Sequence, residues 1–122
     1  MGDEAQLAAH VQKVLKNYGV DRIVISHTYA EGAVKPRFGG KVLMIDVGIS
    51  RYYTGYGQVA CFLMEGTKAW ALHRGKKIEL PSDSGAGLLR YYQEAAALDP
   101  PPSPIQKIIG QLQARVAASG GR

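Results

Sequence analysis

Apolar positions recur with helical spacing at the start of the chain. Leu7, Val11, Val14, Leu15 and Tyr18 share one face of a helix predicted over residues 3–18, with Asp3 placed to cap it and Gly19 to end it. A short apolar run predicts a strand over residues 22–26. Residues 28–40 read as loop, because glycine at 32, 39 and 40 and proline at 36 break any period. Residues 41–47 predict a second strand, apolar without alternation, so both of its faces are expected to be covered. Residues 50–57, SRYYTGYG, form a polar, aromatic, glycine-rich loop. Residues 58–64 and 69–73 predict a β-hairpin turning at 65–68, and residues 77–80 extend the sheet until Pro81 stops it. A helix follows over residues 84–98, carrying Leu88, Leu89, Tyr92 and Ala96. Pro100, Pro101, Pro102 and Pro104 make a stiff connector. The last helix starts with Ser103 as cap and Pro104 in its first turn, and its stripe is Ile105, Ile108, Ile109, Leu112 and Val116.

The order predicts an α/β or α+β fold, a small mixed β-sheet with flanking helices. Residues 1–99 form the domain, 100–104 the connector, and 105–122 a C-terminal helix and tail. Two of the predicted strands end beside residues that can bind a metal or a proton: Ser26-His27-Thr28 after the first, Asp46-Val47-Gly48 at the second. Strand ends of α/β sheets are where such folds place ligands.

Composition changes this picture little. With 122 residues the chain can bury roughly two-thirds of its unfolded surface. It is 46% hydrophobic and 20% charged, and it has no run of the roughly 18 apolar residues that span a bilayer. The start, MGDEAQLAAHV, does not read as a secretory signal. A single cysteine, Cys61, excludes an intrachain disulfide and fits a cytoplasmic location. The net charge of +5 comes from scattered basic residues, with one short cluster at His73-Arg74-Gly75-Lys76-Lys77. That distribution favours an ordinary solvated surface; neither a nucleic acid nor a membrane is expected as partner.

The stretch RIVISHT, followed by EGAVKPRFGGKVLMIDVGISRYY and a hairpin ending in WALHRG, resembles the C-terminal part of the calcineurin-like metallophosphoesterases, closest to bacterial serine/threonine-phosphatase-like members. The similarity runs from about Val20 to Gly75. It implies the C-terminal half of a metallophosphoesterase β-sandwich and a hydrolase of phosphate esters or related activated esters, acting on an anionic small molecule. In that family a strand ends in a Gly-His-Thr-like motif whose histidine ligates a metal. The matching position is His27, with Ser26 where the family has glycine. The resemblance also implies an active-site turn at Asp46 to Gly48 and a substrate-cleft border at Arg51, Tyr52, Tyr53 and Tyr56. The family's Asp-x-His, Gly-Asp-x-x-Asp-Arg-Gly and Gly-Asn-His-Glu motifs do not occur in this chain. The expectation is therefore a truncated domain of modest activity, holding at most one Zn, Mn or Fe ion weakly rather than a binuclear centre.

On this reading His27 and Asp46 are the catalytic candidates, His27 is the metal candidate, and Arg51, Tyr52 and Tyr53 bind substrate. Each has a plainer alternative. His27 could be a loop histidine with a local hydrogen bond, and Asp46 could simply cap the turn at Gly48. The tyrosines could pack an interface. Cys61 reads as a small core residue and His73 as a surface one. A second functional reading is a non-catalytic fold fragment, or an assembly module that complements an N-terminal half. Apolar strands with few helices to cover them also predict a homodimer.

Overall fold

The computed structural model describes residues 3–50, 52, 57–82 and 85–118. In chain order these form α1 (Glu4–Tyr18), β1 (Ile23–Tyr29), β2 (Lys35–Arg37), a 3-10 turn (Phe38–Gly40), β3 (Val42–Asp46), β4 (Ala60–Glu65), β5 (Lys68–His73), β6 (Lys76–Glu79), α2 (Ala86–Leu98) and α3 (Gln106–Ala118). The fold is α+β, and the described strands divide between two three-stranded sheets. None of the described helices is long and apolar enough to cross a membrane.

The first sheet has the order β1-β3-β2 and is mixed: β1 runs parallel to β3, and β2 antiparallel. β2 falls inside the stretch read as loop. At three residues it is too short to show a period, and it contains Pro36. An edge position explains how a strand can carry that proline. β3 meets its expectation of cover, since Val42, Leu43 and Met44 are all buried. The second sheet is the antiparallel meander β4-β5-β6. Its second turn is the two-residue loop Arg74-Gly75, both at positive φ (49° and 85°), as expected of a hairpin turn that matches strand twist.

Residues of α2 and α3 (Tyr91, Tyr92, Ala95, Ile108, Ile109), with Ile105 just before α3, fill the core against Ala60, Ala71 and Ile78 of the second sheet and Val34 and Val47 beside the first. The last helix thus packs into this core through Ile108, Ile109 and Leu112. The second sheet has only one face in this core. Ala69, Ala71 and His73 point inward on β5, while Trp70 points outward under the ammonium of Lys77, 4.3 Å from the ring centroid. Cys61 pairs with Leu72 on that outward face and is exposed, which corrects its reading as a core residue. The run VACFLM is apolar throughout, so nothing in it marks which residues face out.

α1 is well terminated and loosely packed. Asp3 Oδ1 accepts from Ala5 N at 3.1 Å. At the other end Gly19 N donates to Lys16 O and Val20 N to Leu15 O, a Schellman closure. Of the predicted apolar stripe only Leu15 is buried, and Tyr18 is 77% exposed. Local capping therefore builds this helix more than burial does. The loop after β1 passes close to the proline connector. A Cβ at Gly32 (φ 107°) would lie 2.7 Å from Pro104 Cγ, so only glycine fits there without movement.

Candidate functional site

β1 and β3 run parallel with Ile23, Val24 and Ile25 opposite Val42, Leu43 and Met44. Pairing then breaks and resumes at Tyr29 opposite Asp46, so four steps along β1 (25 to 29) match two along β3 (44 to 46). The surplus is a bulge over residues 26–28. His27 sits in its middle at φ 66°, a conformation uncommon outside glycine, and is exposed. Parallel pairing puts the carboxyl ends of both strands at one edge of the sheet, so His27 and Asp46 arrive there together.

Asp46 is committed locally. Its Oδ1 accepts from Gly48 N at 3.3 Å, and its carbonyl accepts from Ala30 N at 2.7 Å. The carboxylate thus caps the turn at Gly48. Tyr52 is 88% exposed, and its backbone N–H donates to Ser50 Oγ at 3.2 Å. Arg51, Tyr53 and Tyr56 lie outside the described residues. Among the described residues no three His, Cys, Asp or Glu side chains come together as a metal-binding group. His27 is an exposed imidazole at this edge.

The densest polar cluster lies elsewhere and links three parts of the fold. Asp99, just after α2, has a fully buried side chain that accepts from Ser103 Oγ at 2.7 Å, Arg74 Nε at 2.8 Å and His73 Nε2 at 2.8 Å. Gln58 Nε2 donates to the same carboxylate at 3.0 Å and to Gly32 O at 2.7 Å, while Gln58 Oε1 accepts from Arg74 Nη2 at 2.9 Å. Arg74 Nη2 also reaches Gly57 O at 2.8 Å. Burial by itself pushes the Asp99 carboxyl pKa up. The hydrogen bonds from Ser103, Arg74, His73 and Gln58 outweigh it and hold the group below the ordinary carboxylate range. His73, read from sequence as a surface residue, is fully buried, and its Nδ1 has no partner. The strand pattern of β5 puts it inward on the same face as Ala69 and Ala71, which its place in a basic cluster hides.

Sequence reasoning missed this clasp. Asp99 before three prolines signals a helix end, and no local pattern ties it to residues 25 and 41 positions upstream. Its chemistry is structural: a buried carboxylate surrounded by donors, closed off from solvent, joins the connector to the second sheet and to the loop after β1. Comparison of the chain with protein-family models, with curated proteins and with solved structures finds no match.

Proposed function

We propose that this chain is a phosphoester hydrolase component derived from a metallophosphoesterase C-terminal segment, acting through His27 on anionic small molecules in the cytoplasm. The observation that supports it is the placement of His27: solvent-facing, at positive φ, in a bulge at the carboxyl edge of the parallel β1-β3 pair. A bulge of this kind re-aims a side chain at a site, and the backbone conformation there costs energy that a plain loop residue would avoid. An exposed imidazole nitrogen can take the proton of a water as it attacks phosphorus and return it to the departing alkoxide, the role proposed for His27. A divalent ion held there would acidify bound water, and one imidazole holds it weakly. Asp46 supports the edge by fixing the turn at Gly48, and Tyr52 stands exposed to meet substrate.

The test is hydrolysis of p-nitrophenyl phosphate, with and without chelator, by the parent, His27→Ala and a His10→Ala control. Loss of general-base catalysis predicts a fall of about a hundredfold for His27→Ala alone. An unchanged rate in His27→Ala overturns the reading.

A second reading, a self-associating homodimer, has its own support. Val24 on the edge strand β1 is 46% exposed, and Val20, Ile49 and Met64 are exposed as well. An open edge with apolar side chains beside it favours pairing with a second copy.

A further inference from the structure

A cleft of about 440 Å³ opens between β2, the 3-10 turn and the helices α2 and α3. Its apolar wall is Leu88, Tyr92, Ile108 and Leu112. At its charged border stand Lys35, Arg37 and Arg115, with Glu4 lining the cleft and Glu31 paired to Lys35. We propose that this cleft is a binding site for a small amphiphilic acid, an apolar body carrying a carboxylate or phosphate head.

Size comes first. The volume falls within the range of about 300–1,000 Å³ typical of small-molecule sites. The wall alone would accept any apolar body; the charges select an acid. Arg37 Nη2 pairs with Glu4 Oε1 at 2.6 Å and its guanidinium lies 4.7 Å from the Phe38 ring centroid, while Lys35 Nζ pairs with Glu31 Oε1 at 3.6 Å. Surface pairs of this kind are weak, so an arriving anion can exchange with either carboxylate at little cost.

Tyr92 adds an independent observation. It is 1% exposed, lines the cleft, and its hydroxyl is buried without a hydrogen-bond partner. Its neighbour Tyr91 shows the usual arrangement, donating to Val34 O at 2.6 Å. Burial pushes the Tyr92 hydroxyl pKa up, with the charge of Glu31 adding to it, so the group remains a proton donor across the physiological range. An unmet buried donor on a residue that lines the cleft is suited to the head of an acid.

The cleft is separate from His27. Arg37 pairs with Val42 at the amino end of β3, whereas Asp46 closes the carboxyl end, so the two sites occupy opposite ends of the first sheet. The inference therefore stands whether or not His27 supports hydrolysis.

The experiment is titration of the full chain with octanoate, octyl phosphate and 1-octanol, followed by calorimetry and by amide shifts at Gly39, Gly40 and Leu88. Both acids should saturate these shifts, with octanol at least about tenfold weaker, as expected when a hydrogen bond to a charged group is lost. The tighter of the two acids identifies the head group. Tyr92→Phe and Arg115→Gln should each weaken acid binding about tenfold. Leu88→Trp, at a half-buried position, should block it while the fold is retained by circular dichroism. Equal binding of octanol and octanoate overturns the selection for an acid. Absence of saturable shifts with all three compounds, or full binding to Leu88→Trp, overturns the site.

Discussion

Replacing Asp99 by alanine should be the most damaging single change outside the hydrophobic core. The carboxylate is fully buried and accepts from four side chains, so its loss orphans donors that water cannot easily reach. Breaking a buried ion pair from one side costs roughly 3–5 kcal/mol. The lower end applies here, because the Arg74 side chain is 21% exposed and keeps Gly57 O and Gln58 Oε1 as acceptors. His73 and Ser103 each lose the hydrogen bond that Asp99 receives, and Ser103 can rotate toward another partner. A total of about 3 kcal/mol follows, a large share of the roughly 5–15 kcal/mol that holds a typical domain. Urea unfolding followed by the fluorescence of Trp70, the chain's only tryptophan, measures it. The pH dependence gives a second signature. The folded-state pKa of Asp99 is depressed, so the unfolded chain takes up the proton first as pH falls. The stabilisation is therefore complete above the ordinary carboxylate pKa of about 4 and is lost as pH drops through the depressed folded value. Parent and Asp99→Ala should differ by the full amount at pH 7, and the gap should narrow as pH falls below about 4. A midpoint for Asp99→Ala within error of the parent at pH 7 would refute the clasp as a stabilising unit, and so would a gap that widens in acid.

Tyr92→Phe should stabilise the free protein, by about 1 kcal/mol, because it removes a buried hydroxyl with no partner; a lowered melting temperature would show that the hydroxyl is satisfied. Light scattering at micromolar concentration should give a dimer mass for the parent and a monomer for Val24→Asp, which places a charge on the exposed side of the edge strand β1. A parent that stays monomeric as concentration rises would rule out the homodimer.

The elements were legible in the sequence where apolar period and punctuation agreed. Residues 41–47 declared a buried strand through an unbroken apolar run, and Ser103 declared the start of the last helix, where its Oγ accepts from Ile105 N at 3.2 Å. The turn at Gly48 and the capping role of Asp46 were also visible. The division into two sheets was not, because pairing depends on contacts between distant segments and each strand alone looks the same either way. Facing was lost in the same manner at Cys61, and His73 was misplaced because its charged neighbours suggested a surface. For the candidate site, the sequence located Asp46 at a strand end but put His27 just past one, whereas β1 continues through His27 to Tyr29. Only the parallel register of β1 with β3 shows that those ends share an edge, and only the bulge shows His27 turned outward.

The clasp and the His27 edge are mechanically linked, which bears on how activity data must be interpreted. The chain leaving His27 runs through Ala30, Gly32 and Val34, and each is held by a hydrogen bond from elsewhere in the fold. Ala30 N donates to Asp46 O, Gln58 Nε2 to Gly32 O, and the Tyr91 hydroxyl to Val34 O. Gln58 in turn is positioned by Asp99 and Arg74. The bulge is thus presented on a fixed base, the condition under which an exposed imidazole keeps a defined geometry. Disturbing Asp99 should therefore loosen the loop after β1 and reduce any activity at His27 without Asp99 touching substrate. His27→Ala leaves every hydrogen bond of the clasp in place, so a fall in rate without a fall in urea midpoint assigns the chemistry to His27, whereas a fall in both for Asp99→Ala assigns that residue to support.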